Sequence, residues 1–372
     1  MNRSKNMVRY AVVGLGHIAQ VAVLPAFQTA RNSELYALVS GDPEKLSKLG
    51  KKYSLKHLYP YEEYSRALSN VDAVYVALPN HLHREYAVRA AAAGVHVLCE
   101  KPMAPTTQDC KDMIEAANRN HVKLMVAYRL HFEAGNLEAV KLTKNGKLGD
   151  VRFFSSEFAQ QVAEENVRIT EPVPQGGGPL YDMGVYCINA ARYLFRAEPL
   201  EVCARAESGK DRRFQRVEEM VSAVLRFSGE RLATFTCSFG AADVSRYTLM
   251  GSKGILRADP AYEYAEGIRL EVTIDGKKRM RSFPKRDQFA AELTYFSNCI
   301  LQDRQPEPSG LEGLADVRVI EAIYHSIRMR RTVAIPQLTG EKKRPDERQE
   351  IRRPAHQKPE VFHAHSASRE AA

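Results

Sequence analysis

The chain has 372 residues, a formal net charge of +9, 44% hydrophobic residues and 27% charged residues. This length suits two domains and is sufficient for a sizeable core. The positive residues are dispersed and form no basic stripe with interleaved aromatics, which argues against a nucleic-acid partner. No apolar run reaches the roughly eighteen residues of a membrane span, and no signal sequence precedes the first strand pattern, so we expect a cytoplasmic protein.

The first third of the sequence alternates short apolar runs with longer helical patterns. The runs are VRYAVVGLG, ELYALVS, DAVYVALP, HVLCEK and KLMVAY. Alternation of this kind is typical of a parallel sheet with helices on both faces, the doubly wound α/β arrangement. We therefore predict one such domain over residues 1–127.

The pattern changes after residue 128. A helix is predicted over about 134–145, followed by strand-like runs that alternate by twos and are joined by turns such as FSGER and TIDGKK. Such runs indicate an antiparallel sheet with one face free for solvent or a partner. Helices at 287–302 and 310–330 complete the pattern. We predict an α+β domain over 128–336 with a large, open and mainly antiparallel sheet.

The last segment, residues 337–372, is charged, interrupted by proline and almost free of large apolar groups. It cannot bury enough surface to offset the entropy of ordering, so we expect disorder. Its histidines, His356, His363 and His365, lack acidic or cysteine partners at ligand spacing, and we predict no metal site.

The cysteines are predicted to be reduced core residues, because they form no CxxC pair and lie mostly in apolar runs. They are Cys99, Cys110, Cys187, Cys203, Cys237 and Cys299.

A dinucleotide-binding turn follows the first predicted strand. GLGHIA, residues 14–19, has the GxGxxA form and lies between a strand and a helix. Gly14 permits the tight turn, Gly16 lets the backbone approach a pyrophosphate, and Ala19 allows close helix packing. The first domain is therefore predicted to be a Rossmann domain. Its predicted cofactor contacts at this turn are Gly14, Gly16, His17 and Ile18.

The second predicted strand ends at Ser40 and Gly41, where an NAD site usually has an acid about twenty residues beyond the last glycine. A hydroxyl with Lys45 five residues further on suits a 2'-phosphate, which a carboxylate at the strand tip would repel. We therefore predict NADP rather than NAD, with Ser40 and Lys45 as contacts. The neighbouring Asp42 argues for NAD, and a solvated surface lysine is the alternative for Lys45.

Two later strands deliver polar residues to the carboxyl edge of the parallel sheet, where doubly wound folds bind ligands. CEKP ends one strand, and its proline fixes an extended conformation at the lysine. LPNHLH ends the other. The residues predicted to contact the cofactor at this edge are Leu78, Pro79, Asn80, His83, Glu100 and Lys101. Arg129 and His131 follow the last strand and are predicted to line the substrate pocket, with Arg129 also near the cofactor.

The stretch GGGPLYDMGVYCINAARYL is apolar almost all round and predicts a buried helix. Asp182 and Tyr186 lie four residues apart, so they share a face of that helix and point into the same space. The alternatives are a core tyrosine bonded to backbone for Tyr186, an acid satisfied by backbone amides for Asp182, and an interdomain salt bridge for Lys101.

Five motifs together resemble those of the Gfo/Idh/MocA oxidoreductases: GxGxxA, PNHLH, CEKP, YRLHF and GGGPLYDMGVY. The resemblance extends to about residue 336 and is strongest to the glucose-fructose oxidoreductase branch. It implies an N-terminal dinucleotide-binding domain and a C-terminal domain whose open sheet joins subunits. We therefore expect a homodimer or a homotetramer.

The resemblance also implies catalytic roles. Lys101 would be the lysine of the EKP motif, which hydrogen-bonds the reacting oxygen and tunes the proton acceptor. Asp182 would be the aspartate of the D-x-x-x-H motif, which orients the sugar or the base. Tyr186 stands where most of the family has histidine, as in the glucose-fructose oxidoreductase branch. Ser40 and Lys45 match the NADP-phosphate contacts of that branch.

These assignments predict hydride transfer between NADP(H) and a sugar, either oxidation of an aldose at C1 to the lactone or the reverse reduction. Tyrosine has an ordinary pKa near ~10, so Tyr186 needs a cationic neighbour to accept a proton near neutral pH, and Lys101 is predicted to supply it. The alternatives are a reductase of an anhydrofructose or a non-sugar carbonyl, and a sensor that binds NADP without catalysis. Without the covering N-terminal arm of that branch, NADP is expected to be dissociable.

Overall fold

The computed structural model describes residues 6–338 and 344–364. A six-stranded parallel sheet lies N-terminal to a nine-stranded, mostly antiparallel sheet. The predicted α/β class, with a Rossmann sheet followed by an α+β part, is therefore confirmed. The domain limits at 127 and 336 stay a prediction. Within the described ranges, no helix has the length and apolarity needed to cross a membrane.

The parallel sheet has the strand order β3-β2-β1-β4-β5-β6. Its strands are β1 Val8–Val13, β2 Ser33–Val39, β3 His57–Tyr59, β4 Ala73–Val76, β5 His96–Cys99 and β6 Leu124–Val126. The helices between them are a π-helical turn Ala19–Val23, α1 Leu24–Ala26, α2 Pro43–Lys52, α3 Tyr64–Leu68, α4 His83–Ala92 and α5 Thr107–Arg119. Strands β2 and β3 are added on one side of β1 and strands β4 to β6 on the other, and this switch between β1 and β4 creates a ligand-binding crevice at their carboxyl ends.

The second sheet has the order β14-β13-β12-β11-β7-β10-β9-β8-β15, and within it β10 pairs with β7 in parallel. Its strands are β7 Val151–Ala159, β8 Pro199–Glu207, β9 Met220–Phe227, β10 Arg231–Ser238, β11 Val244–Gly251, β12 Gly254–Ala258, β13 Ile268–Ile274, β14 Lys277–Phe283 and β15 Val333–Ala334. The helices of this half are α6 Ala134–Lys144, α7 Val167–Thr170, a π-helical turn Leu180–Gly184, α8 Val185–Phe195, α9 Gln288–Leu301 and α10 Gly310–Met329.

One face of the nine-stranded sheet is buried and the other is open. In β9 every second residue is buried, and α8 and α10 lie on the buried side. The open face carries exposed apolar side chains, among them Val224, Leu232, Ile255 and Met280. Cys203 on β8 is also exposed, so the prediction that all cysteines are core residues is wrong at this position; the other five are buried. The strand alternation, rather than the local apolar run, decides which way Cys203 faces.

Helix α9 follows the antiparallel strands in the chain but packs against the parallel sheet. The hydroxyl of Ser297 lies 2.8 Å from the Tyr10 hydroxyl and 2.7 Å from the Ser33 hydroxyl. Phe289 and Phe296 are buried in the cluster that contains β1 and the helix after it. Helix α9 is buried on most of its faces, so its apolar side chains join the two halves of the chain.

The C-terminal segment differs from the predicted disorder over residues 344–364. These residues lie along the protein with defined contacts, such as the hydrogen bonds between the backbone of Phe362 and the side chain of Gln20. The prediction of disorder was based on the low apolar content of the segment, and that content does not reveal hydrogen bonds to distant residues such as Gln20. The remainder of the segment, residues 339–343 and 365–372 with His365, lies outside the described residues.

A buried charge network ties α8 to α10. Arg192 is fully buried, with its guanidinium 2.9 Å from Glu312, 2.5 Å from Asp316 and 2.9 Å from Glu198. Burial is the main cause that raises the pKa of Asp316, to about 6, against the opposing effect of Arg192. Arg192 is the cation that all three carboxylates share, while Arg318 and Arg344 also pair with Glu198, and Arg344 with Glu312.

Arg192→Met is expected to lower the free energy of unfolding by about 3–5 kcal/mol, since buried carboxylates would lose their partner. Urea denaturation followed by circular dichroism measures this change. Arg226→Met is the matched control: Arg226 pairs with Glu201 on the surface, and its loss should leave the free energy of unfolding nearly unchanged. Equal losses for the two variants would contradict this account of the network.

Candidate active site

A cavity of about 700 Å³ opens at the carboxyl edge of the parallel sheet, between the two halves of the chain. This volume is in the usual range for ligand sites. It brings together most of the residues predicted from the sequence: Gly14, Gly16, His17, Ile18, Ser40, Lys45, Leu78, Pro79, Glu100, Lys101, Arg129, Asp182 and Tyr186.

Three predicted residues do not line the cavity. Asn80 is buried behind it and donates to the Gly176 carbonyl at 2.8 Å. The ring nitrogens of His83 contact the carbonyl oxygens of Leu78 and Pro102, so His83 links the loop after β4 to the loop after β5. His131 is buried with its ring nitrogens on Glu307 and Asn189. All three side chains are hydrogen-bonded within the protein and lie outside the cavity lining, as buried polar residues near strand ends often do, and their contacts with cofactor or substrate stay a prediction.

The turn after β1 fits a dinucleotide. Gly14 has φ +92°, and a Cβ there would lie 2.5 Å from the Ala77 carbonyl oxygen, so this position requires glycine. A Cβ on Gly16 would meet no atom within 4 Å, and Gly16 lines the cavity. The backbone at Gly16 therefore faces open space, in which a pyrophosphate has room to approach.

The acid next to the tip of β2 caps the helix that follows. The Asp42 carboxylate accepts hydrogen bonds from the backbone amides of Glu44 and Lys45 at 2.9 and 3.0 Å, which caps α2. The hydrogen bond from the Lys45 amide is the largest cause that lowers the pKa of Asp42. Ser40 and Lys45 line the cavity beside it. The carboxylate that argued for NAD is therefore engaged as a helix cap.

Lys101 and Asp182 form an ion pair across the cavity. The lysine Nζ donates to Asp182 Oδ1 at 3.1 Å and to the Asp182 carbonyl at 2.9 Å. Burial lowers the pKa of Lys101, but the neighbouring Tyr186 and Asp182 outweigh it and the pKa is raised. Burial raises the pKa of Asp182, but Lys101 and Arg168 outweigh it and the pKa is lowered. Both groups are thus charged throughout the range between the ordinary values of 3.8 and 10.5.

The cation on the Tyr186 hydroxyl is Arg129. Its Nη2 donates to the hydroxyl oxygen at 3.2 Å, whereas Lys101 lies over the ring, with Nζ 4.6 Å from the centroid. The same guanidinium donates to Gln288 at 2.5 Å and to the Tyr262 carbonyl at 2.5 Å. Arg129 is therefore fixed as a partner of Tyr186, while the sequence predicted Lys101 in that position.

Local helix geometry places Asp182 and Tyr186 in the same cavity. Asp182 lies in the π-helical turn Leu180–Gly184, and Tyr186 lies in the first turn of α8. The glycines before them admit close approach: a Cβ on Gly177 would lie 2.0 Å from the Glu171 carbonyl oxygen. The loop that precedes the helix is consequently packed tightly on itself.

Arg168 is a cavity residue that the sequence did not indicate. Its Nε lies 3.8 Å from Asp182 Oδ1. Its buried Nη1 has no hydrogen-bond partner within the described part of the chain, and the residue lines the cavity. A single arginine in an irregular loop carries no pattern, so only its position beside Asp182 reveals it.

A Rossmann sheet whose glycine turn opens into a cavity with a paired lysine and aspartate is the arrangement of a dinucleotide-dependent oxidoreductase. The chain belongs to the GFO/IDH/MocA oxidoreductases. Residues 8–128 match the family model described as "Oxidoreductase family, NAD-binding Rossmann fold". Residues 136–257 match the model of the GFO/IDH/MocA C-terminal domain. The resemblance inferred from the motifs is therefore confirmed.

Several known proteins are similar over most of the chain. The D-xylose 1-dehydrogenase [NADP(+)] of Haloarcula marismortui is 30% identical, over 89% of this chain and 94% of the relative. The crystal structure of the aldose-aldose oxidoreductase of Caulobacter crescentus is 40% identical, with a TM-score of 0.84, over 88% of this chain and 99% of that one. A 3-ketoreductase of Actinomadura kijaniata, solved with NADP and TDP-benzene, is 25% identical, with a TM-score of 0.78, over 87% and 98% of the two chains.

Proposed function

We propose that this protein is an NADP-dependent sugar dehydrogenase that transfers a hydride between NADP(H) and C1 of an aldose. The observation that carries the proposal is the convergence of Lys101, Asp182, Tyr186 and Arg129 in the cavity into which the Gly14–Gly16 turn opens. The xylose and aldose specificities of the similar proteins support a sugar substrate.

NADP, when bound, supplies the acceptor for the hydride that leaves the sugar carbon. The chain must then remove the hydroxyl proton, and Tyr186 is the group placed to accept it. Arg129 donates to the tyrosine oxygen and Lys101 lies over the ring, so two cations stabilise negative charge on the phenol. Asp182 holds Lys101 in place through the 3.1 Å ion pair. Proton loss through Tyr186 and hydride loss from C1 together convert the cyclic aldose into its lactone.

The direct test is an NADP-linked screen of aldoses with the purified protein, monitored by absorbance of the reduced nucleotide. Reduction of NADP with D-xylose or D-glucose and formation of the lactone are the expected results. The reverse assay, with NADPH and a dicarbonyl sugar or a non-sugar carbonyl, distinguishes the reductase alternative. If NADP binds but no substrate of either screen reacts, the proposal fails and a sensor role is favoured.

Ser40→Asp is expected to weaken NADP binding at least about tenfold and to leave NAD binding nearly unchanged, because a carboxylate at the strand tip repels a 2'-phosphate. Titration calorimetry with both nucleotides measures the two changes. Ser47→Asp on the following helix, which adds the same charge away from the cavity lining, is the matched control. Equal weakening of NADP and NAD by Ser40→Asp would show that the 2'-phosphate does not lie at this tip.

The open face of the nine-stranded sheet is the proposed subunit interface, in a homodimer or a homotetramer. Exposed Leu232 and Val224 lie near each other on adjacent strands, and Met280 is 60% exposed on β14. Exposed apolar groups on one face favour a protein contact. We also retain the proposal of a cytoplasmic protein without a nucleic-acid partner.

A further inference from the structure

We propose that residues 344–364 form a strap that is part of the NADP site and limits release of the nucleotide. The inference rests on the proposed NADP dependence and goes beyond it, because it assigns cofactor retention to a segment outside both matched family domains. The strap is anchored to the helix that follows the phosphate-binding turn, and it forms one wall of the cavity.

The anchors of the strap are specific hydrogen bonds. Gln20, buried four residues after Gly16, donates to the Phe362 carbonyl and accepts from the Phe362 amide, both at 2.8 Å. His356 contacts the Val21 carbonyl at 2.9 Å and the Asp287 carboxylate at 3.0 Å. The strap thus crosses from the start of α9 to the helix that begins at the phosphate-binding turn.

The strap contributes side chains to the cavity that holds the predicted NADP contacts. These are Ala355, His356, Lys358, His363 and Ala364. The same cavity is lined by Gly14, Gly16, Ser40 and Lys45. A nucleotide in the cavity would therefore contact both the Rossmann turn and the strap, and the strap contacts have to be broken for it to leave.

The imidazole of His363 contacts two acids just after the tip of β2. Its ring nitrogens lie 3.1 Å from Asp42 and 3.4 Å from Glu44. An imidazole in contact with Asp42 and Glu44 engages carboxylates that would otherwise repel a phosphate at this tip, and Lys358 adds a cation to the cavity lining. The strap therefore favours the 2'-phosphate end of NADP over the bare ribose of NAD.

The first experiment measures nucleotide release from the full-length protein without any sugar. NADPH is displaced by excess NADP in a stopped-flow instrument, and its fluorescence gives the dissociation rate. The double variant His356→Ala with Phe362→Gly removes the histidine anchors and the ring that Lys48 covers at 4.9 Å. Arg352→Ala is the control in the same segment, since Arg352 pairs with Glu350 within it.

We expect the double variant to release NADPH at least tenfold faster than the wild type, and Arg352→Ala to release it at the wild-type rate. In the wild type, chymotrypsin cleavage after Phe362 should be slowed by NADPH. Unchanged dissociation in the double variant, or cleavage unaffected by NADPH, would overturn the strap. Because sugar is absent, a protein that retains NADPH but oxidises no sugar refutes the proposed function and leaves the strap intact; a protein that binds no NADPH refutes both.

The second experiment tests whether the strap contributes a side-chain contact to the 2'-phosphate end of NADP or only covers the nucleotide. His363→Ala is expected to weaken NADPH binding by about threefold to fivefold, the effect of an exposed charge pair, and to leave NADH binding unchanged. Equal effects on NADPH and NADH would contradict the assignment of His363 to the 2'-phosphate end.

Discussion

Replacement of Lys101 by methionine is expected to lower kcat roughly 10²–10⁴-fold while NADPH still binds. The substitution keeps the length of the side chain but removes the ammonium group that contacts Asp182 and lies over the Tyr186 ring. Steady-state NADP reduction with the best aldose gives kcat, and NADPH fluorescence gives the affinity for the nucleotide.

Lys123→Met is the matched control for this variant. Lys123 is similarly buried, with its side chain 10% exposed against 11% for Lys101, and it pairs with Asp303 away from the cavity. The control should keep wild-type turnover, because it loses a buried lysine that has no part in the site. If both lysine variants lose the same activity, the loss at Lys101 is structural and the assigned role is wrong.

Tyr186→Phe is expected to lower kcat about 10²-fold or more and to leave the nucleotide affinity within a few-fold of the wild type. The ring, and with it the contact to Lys101, is retained, while the hydroxyl that receives the Arg129 hydrogen bond is lost. Presteady-state hydride transfer with excess sugar measures this loss directly.

Tyr181→Phe controls for the loss of a buried phenol in the same helical segment. Its hydroxyl donates to the Pro105 carbonyl at 2.7 Å, so its removal should cost about 1 kcal/mol of stability and leave turnover unchanged. Near-wild-type turnover by Tyr186→Phe, with NADP bound, would remove Tyr186 from the mechanism and leave the alternative of a core tyrosine.

The parts of the fold and site that depend on local sequence were predictable. The strands of the parallel sheet are apolar on both faces, and Gly14 adopts a backbone conformation that requires glycine, so the Rossmann turn could be recognised from residues in a row. The resemblance to the EKP and D-x-x-x-H motifs brought Lys101 and Asp182 together in advance, and the structure places them 3.1 Å apart.

Contacts made by distant segments were not predictable from one sequence. Arg129 is fixed on Tyr186 by Gln288 and the Tyr262 carbonyl, which lie more than a hundred residues away in the chain. His131 gave the same sequence signal as a ligand-lining histidine, yet Glu307 and Asn189 hold it in the core.

The strap was missed for a different physical reason. The prediction of disorder compared apolar surface with chain entropy, whereas residues 344–364 are held by hydrogen bonds to Gln20, Val21 and Asp287 on the rest of the protein. Composition does not reveal partners of this kind, because each anchor needs a group from another part of the fold.

The measurement that tests the central claim most directly is transfer of deuterium from a sugar labelled at C1. The protein is incubated with NADP and D-xylose or D-glucose carrying deuterium at C1, and the reduced nucleotide is analysed by mass spectrometry. The account predicts one deuterium in the nucleotide, the lactone as the product and a slower rate with the labelled sugar. Reduced nucleotide without deuterium would place the oxidation at another carbon, and bound NADP that no aldose reduces would contradict the claim altogether.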